Sequence, residues 1–337
     1  MIDSHSFYFQ KFRNFLKKSA KKFPGHRLKI CFCIPASPTD GFYSQIAMFR
    51  LALDRLGEVY KQANIMVTIG GSDVGTLPKR WKPYLKKNVK LHWVGSELYQ
   101  KYGDFAQGNA RFLQDYSAYD VVIFCDADTL PLKPIDDLLI RIQNYHEVMG
   151  VIAHYTFPHS PGENVEEIWR MLASQFVEKP IEFSFRHTLV SDTNFPEFPN
   201  SPFYVNFGFV VMTPEIIRTI CDTYLKIRPN LIPILKNPRF TGQIALTLSL
   251  LAHDIPTNAL GLRYNFPNDI IAEKLHAEEM KDIRIMHYLR TDKFNRQRIF
   301  ANKDSFEKFL LLELDGSNKI FQNYIKKLTS GKYPFSF

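Results

Sequence analysis

Short apolar runs that stop at a proline, a glycine pair or a polar cluster alternate along this chain with stretches of helical period. Leu28 to Ile34 alternates and is rich in β-favouring residues, which predicts a first strand stopped by Pro35. A helix follows from about Tyr43 to Leu56, with Ile46, Met48, Phe49, Leu51 and Leu53 supplying apolar faces. Ile65 to Ile69 reads as a second strand ended by Gly70-Gly71, Val89 to Val94 as a third, and Ala110 to Tyr116 as a helix. Val121 to Cys125 is continuously apolar, as suits a strand buried on both faces of a parallel sheet. Residues 151–205 are broken by Pro158, Pro161, Pro180, Pro196, Pro199 and Pro202 and read as a long irregular insertion suited to substrate selection.

Phe203 to Met212 is another apolar strand, interrupted by Asn206 and Gly208, which implies that something approaches its backbone closely; a sugar would fit. Thr213-Pro214-Glu215 has the cap, proline and acidic first turn of a helix running to about Ile227. A further apolar helix spans Ile244 to Ala252, so Gln243 stands near its N-terminus, and Ile283 to Met286 is a last strand with His287-Tyr288 at its end. This rhythm predicts an α/β protein: a Rossmann-like, mixed but mostly parallel sheet flanked by helices, with Pro35, Ala36 and the loop after the first strand near a nucleotide's base and ribose. No G-x-G-x-x-G fingerprint occurs there, which argues against a dinucleotide dehydrogenase.

Asp126 and Asp128 follow the Val121–Cys125 run at once, and Pro131 and Pro134 forbid continuing it. Both acids therefore lie on a turn at a strand's carboxyl end, where open α/β sheets bind ligands. Two carboxylates at i and i+2 on a turn can address one hard divalent cation that keeps room for a substrate's phosphates. Asp beside Pro is also ordinary turn chemistry, with the side chains bonding their own backbone, and a D-x-D alone does not separate the two readings.

Composition narrows the classes. With 45% apolar residues the chain is globular, and its net charge of +9 favours anionic partners, nucleotide diphosphates or acidic lipid surfaces ahead of nucleic acid, for which no motif is present. The four cysteines, Cys31, Cys33, Cys125 and Cys221, form no C-x-x-C pair and read as free thiols of a reducing compartment. Neither a membrane span nor a signal peptide is expected, so the expected location is the cytoplasm. Residues 1–27 predict a basic amphipathic helix, with Phe9, Phe12 and Phe23 opposite Lys11, Arg13, Lys17, Lys18, Lys21 and Lys22. Residues 301–337 read as a basic aromatic C-terminal extension, with Lys326, Lys327 and Lys332 among Phe321, Tyr324, Tyr333, Phe335 and Phe337. The two termini together offer a peripheral seat on the cytoplasmic face of an anionic membrane; a docked terminal helix with a frayed tail is the alternative.

The ordered set of D-A-D at a strand end, N-F-G, a G-Q helix start and I-M-H-Y with a lysine soon after resembles glycosyltransferase family 8, a retaining family, in short islands between residues 28 and 295. The resemblance implies a GT-A-like nucleotide-sugar transferase domain over residues 28–300. It implies that Asp126, Asp128 and His287 hold Mn²⁺ or Mg²⁺ on the diphosphate of a UDP-sugar. Lys293 would bond that diphosphate and Arg111 the donor; Asn206 would lie by the sugar and Gln243 next to its anomeric carbon. The family often has Asp where this chain has Gly242, Asp where it has Ala153-His154, and a Gly-containing loop where it has Leu289 to Asp292.

The chemistry stands without the name. Cleaving a glycosyl phosphate puts negative charge on the departing diphosphate, which a dication and an adjacent cation stabilise most in the transition state. Double displacement needs a carboxylate at the anomeric carbon, and the position that the resemblance matches there offers Gln243, an amide, so front-face transfer with retention to a hydroxyl of a saccharide, glycolipid or protein is expected. A nucleotidyltransferase, or a catalytically silent carbohydrate-binding or scaffold protein of the same fold, would explain part of the same pattern.

Overall fold

The computed structural model describes residues 28–70, 75–102, 106–159, 163–191, 200–236 and 239–336. The basic helix expected in residues 1–27 lies outside them. Seven strands form the main sheet in the order β3 (Val89–Val94), β2 (Asn64–Gly70), β1 (Ile30–Ala36), β4 (Val121–Cys125), β7 (Val205–Met212), β6 (Val148–Ile152) and β8 (Thr257–Ala259). From β3 to β4 every pairing is parallel, β7 runs antiparallel to both β4 and β6, and β8 is parallel to β6. A second, small sheet joins β5 (Thr129–Pro131), β10 (Ile285–His287) and β9 (Phe266–Pro267). The expected mixed, mostly parallel sheet flanked by helices is therefore what the chain forms.

Alternation along each strand divides the core into two layers. Ile30, Phe32 and Ile34 of β1 meet α1 (Asp40–Leu53) and the C-terminal helices α6 (Lys303–Leu311) and α7 (Gly316–Thr329). Cys31 and Cys33 face the other layer, where α3 (Val165–Phe176), α4 (Pro214–Leu235) and α5 (Thr241–Ala252) pack. Between β3 and β4 lies the short α2 (Ala106–Ala110), which ends just before Arg111.

Several expectations shift for local reasons. β1 runs through Pro35 to Ala36 instead of stopping, because β4 pairs with it only as far as Cys33 and leaves that edge free beyond. α4 continues past Ile227 through Pro229 and Pro233, and burial of Leu231 extends its apolar face into the core. The supposedly irregular stretch 151–205 holds α3, whose start is capped by Asn164 accepting from the Glu166 and Glu167 N–H groups. Val165, Trp169, Leu172 and Ala173 make its buried stripe, a period that the surrounding prolines obscured.

Several of the C-terminal side chains belong to the core. Phe321 and Ile325 of α7 are fully buried, and Phe335 packs edge-on against Trp81 at 5.3 Å and Tyr84 at 4.9 Å. Tyr324 donates from its hydroxyl to the Pro131 carbonyl at 3.0 Å, tying α7 to β5. These aromatics are therefore unavailable to a membrane surface. No helix among the described residues is long and apolar enough to cross a membrane. Phe321→Ala is expected to cost about 3–5 kcal/mol in urea unfolding, as for a core aromatic, whereas a frayed tail would change stability by about 0.5 kcal/mol or less.

Candidate active site

β4 ends at Cys125, and the chain turns through Asp126, Ala127 and Asp128 before β5 begins. Thr129 closes the turn on the Asp126 carbonyl, with its hydroxyl donating at 2.7 Å and its N–H at 3.2 Å. β5 then pairs antiparallel with β10, in a register that sets His287 opposite Thr129. Tyr288 locks the junction: its N–H donates to the Asp128 carbonyl at 3.0 Å and its hydroxyl to the Ala127 carbonyl at 3.3 Å. The fully buried Tyr288 ring stacks on Phe321 at 4.7 Å, so the C-terminal core holds the turn in place.

This pairing carries the His287 imidazole over the acids. Its Nε2 lies 3.3 Å from Asp128 Oδ1 and 4.0 Å from Asp126 Oδ2. One ligand atom from each of the three residues falls within 4.8 Å of the others. Two carboxylates and an imidazole converging in this way fit a divalent cation such as Mn²⁺ or Mg²⁺. Electrostatics divide the acids. Burial, and then the neighbouring Asp128 charge, raise Asp126 above the usual carboxylate range. Burial acts the same way on Asp128, but His287 and Arg296 outweigh it and hold that group low.

The turn opens on a cavity of about 480 Å³ at the carboxyl ends of β1 and β4. Of the residues singled out in the sequence, it brings together Pro35, Ala36, Arg111, Asp126, Asp128, Gln243 and His287. Gln243 sits in the first turn of α5, its Oε1 buried without a hydrogen-bond partner. Arg111 is buried, with Cζ 4.9 Å from the ring centroids of both Phe124 and Phe207.

Two expected members do not line this cavity. Lys293 is exposed, because the inward residue of its loop is Phe294, which packs on Phe309 at 5.0 Å and Phe321 at 5.9 Å. Asn206 turns its amide oxygen to its own strand, accepting from the Gly208 N–H at 2.7 Å. The close approach expected at Gly208 is real but made by protein: a Cβ there would stand 2.6 Å from both Asn265 Oδ1 and His287 Nδ1. His154 also stays outside the cavity lining, its Nδ1 2.8 Å from Thr188 Oγ1 and its pKa lowered to about 3 by burial and the nearby histidines and Arg290.

The cavity also contains cations that the sequence pattern did not single out. Arg296 ion-pairs with Asp128 and donates to the Leu289 carbonyl at 2.8 Å, while Gln45 Nε2 donates to the Arg296 carbonyl at 3.1 Å. Arg228 of α4 lines the cavity from a buried position. The dense run R-T-D-K-F-N-R-Q-R from Arg290 was the available signal for Arg296; Arg228 had none beyond the odd placement of an arginine on an apolar helix face.

Because Gly208 makes room for His287, Gly208→Ala is expected to destabilise the fold by about 1–3 kcal/mol in urea unfolding; unchanged stability would mean that the space is open. In comparisons with known proteins, no family model matches the chain and no curated protein matches it by sequence. Among solved structures it is similar to mouse xyloside xylosyltransferase 1 in its apo form, at 12% identity and a TM-score of 0.43 over 78% of this chain and 98% of that one. It is similar to the galactosyltransferase LgtC in complex with donor and acceptor sugar analogs, at 13% identity and a TM-score of 0.46 over 78% of this chain and 88% of that one. It is also similar to the bifunctional glycosyltransferase WbbM in its apo form, at 15% identity and a TM-score of 0.48 over 92% of this chain and 52% of that one.

Proposed function

We propose that the chain is a metal-dependent glycosyltransferase of GT-A type that moves a hexose, with retention, from a UDP-sugar to a hydroxyl of a saccharide, glycolipid or protein. The observation that carries the reading is the convergence of Asp126, Asp128 and His287 at the rim of a strand-end cavity also lined by Arg296 and Gln243. A divalent ion held by the three residues would supply a Lewis acid for the diphosphate. Pro35 and Ala36 offer the base and ribose a wall at the end of β1, and Arg111 a donor contact.

Arg296 takes the part that the family resemblance gave to Lys293. Its guanidinium already stands at Asp128 and is positioned to donate to departing phosphate oxygens as charge develops there. The unpartnered amide oxygen of Gln243 faces the reacting carbon, where its partial negative charge favours an oxocarbenium-like transition state without forming a covalent bond. The bond from the anomeric carbon to the phosphate oxygen breaks; the acceptor hydroxyl attacks from the same face and gives its proton to that oxygen. Configuration is kept.

Thermal shifts with UDP, GDP, CDP and their sugars, with and without Mn²⁺, test the assignment. A ligand at a hundred times its Kd stabilises the folded state by about 2.7 kcal/mol. The expected result is a Mn²⁺-dependent shift with a UDP-sugar that Asp128→Ala abolishes. With no shift from any nucleotide, the turn becomes an ion-paired structural element, since His287 and Arg296 already neutralise Asp128. In transfer assays Gln243→Ala is expected to lower kcat by about 100-fold, and undiminished turnover would remove Gln243 from the reacting carbon.

A further inference from the structure

Two buried arginines line the cavity, and of the rim acids Asp126 feels the Arg111 charge. Arg111 and Arg228 are 2% and 3% exposed, and neither forms an ion pair among the described residues. Nη1 of both, and Nε of Arg228, are buried without a hydrogen-bond partner. Arg228 borders Gly242, and Arg111 reaches the same wall through Phe207. A Cβ at that position would lie 3.1 Å from the Tyr224 hydroxyl, 3.2 Å from Phe207 Cε2 and 3.7 Å from Arg228 Nε, and Arg111 stacks on the same Phe207. Burial lowers the Arg228 pKa, and the Arg111 charge lowers it further.

Buried guanidinium groups with open donors are costly unless an anion meets them. The acids at the rim do not serve Arg228: Asp128 is engaged by His287 and Arg296. Gly242 itself is closely packed, but Arg228 lines the cavity beside it at the first turn of the 12-residue helix α5, where backbone N–H groups also favour negative charge. Gln243, the adjacent residue, belongs to the reacting carbon in the proposed function, so the Arg228 charge stands beside a sugar and not beside the diphosphate.

We infer that Arg228, with Arg111, forms an anion subsite next to Gln243 that selects a sugar bearing a carboxylate or phosphate group. The subsite rests on the nucleotide-sugar reading above, and it adds what that reading leaves open, the class of sugar. The anion has two sources, the transferred sugar or the acceptor. A uronate donor would present its carboxylate from the sugar ring; a charged acceptor would bring it from outside.

Titrations with Mn²⁺ present decide this. One arm compares UDP-glucuronate with UDP-glucose; the other compares glucuronate and glucose 6-phosphate with glucose, each added to the UDP-bound protein. The charged sugar of one arm is expected to bind about tenfold or more tighter than its neutral counterpart, with that ratio collapsing in Arg228→Gln. Normal UDP binding with no charge preference in either arm overturns the subsite and leaves the transferase reading standing, as does a preference that Arg228→Gln leaves intact. A readout free of nucleotide guards against both failing together. Gly242→Asp supplies the carboxylate in cis and is expected to raise the thermal midpoint above Gly242→Asn by about 2 °C or more. That gain should vanish in an Arg228→Gln background; its persistence there would reduce it to a helix-terminus effect and overturn the inference.

Discussion

The antiparallel pairing of β5 with β10 is the constraint from which the site follows. Three residues from each strand are joined, yet the register alone brings His287 to within 3.3 Å of Asp128 from the far end of the domain. A one-residue slip would turn the imidazole to the opposite face. What prevents a slip is packing. Tyr288 bonds the carbonyls of Ala127 and Asp128 and is pressed by Phe321, while Tyr324 of the same helix donates to Pro131 at the end of β5. The last two helices therefore act on the chemistry through the core. So short a pair of strands has little stability of its own without that support.

Charge in the cavity is arranged in two zones. At the rim, two carboxylates meet His287 and Arg296, and the uneven environment leaves Asp128 the more readily ionised. Deeper, beside Gly242, Arg228 has no ion-pair partner among the described residues. A ligand with a neutral body, a diphosphate at one end and a second anion at the other would answer both zones at once. Opposed zones of this kind fix the direction in which a substrate enters more sharply than they add affinity.

Much of this was legible in the sequence, and for identifiable reasons. The strand of Val121 to Cys125 announces itself because five apolar residues in succession suit burial on both faces, and the acids after it gain meaning from their place at its end. His287 was readable because it follows a short strand. Lys293 looks like a phosphate ligand from its place six residues on from the His, while in the fold Phe294 anchors the loop and Lys293 stays exposed outside the cavity lining. The C-terminal aromatics misled, their period hidden among lysines that stay on the surface.

Arg228 was beyond the reach of pattern. It has no local motif, and what gives it meaning is its contact with Gly242 of the G-Q helix start, between α4 and α5 across the cavity wall. The two glycines of the site make the contrast plain. Gly208 is small because protein atoms fill the space beside it on both sides, His287 and Asn265 each 2.6 Å from where a Cβ would be. At Gly242 the nearest atoms to a Cβ would be a phenol oxygen at 3.1 Å, a ring edge at 3.2 Å and a guanidinium at 3.7 Å, and two of these are polar. The cavity beside the unsatisfied Arg228 donors is polar space, which calls for a ligand or water where apolar space could stay dry. The first glycine therefore makes room for His287, and the second for the Tyr224 hydroxyl and the Phe207 ring that wall the cavity beside Arg228.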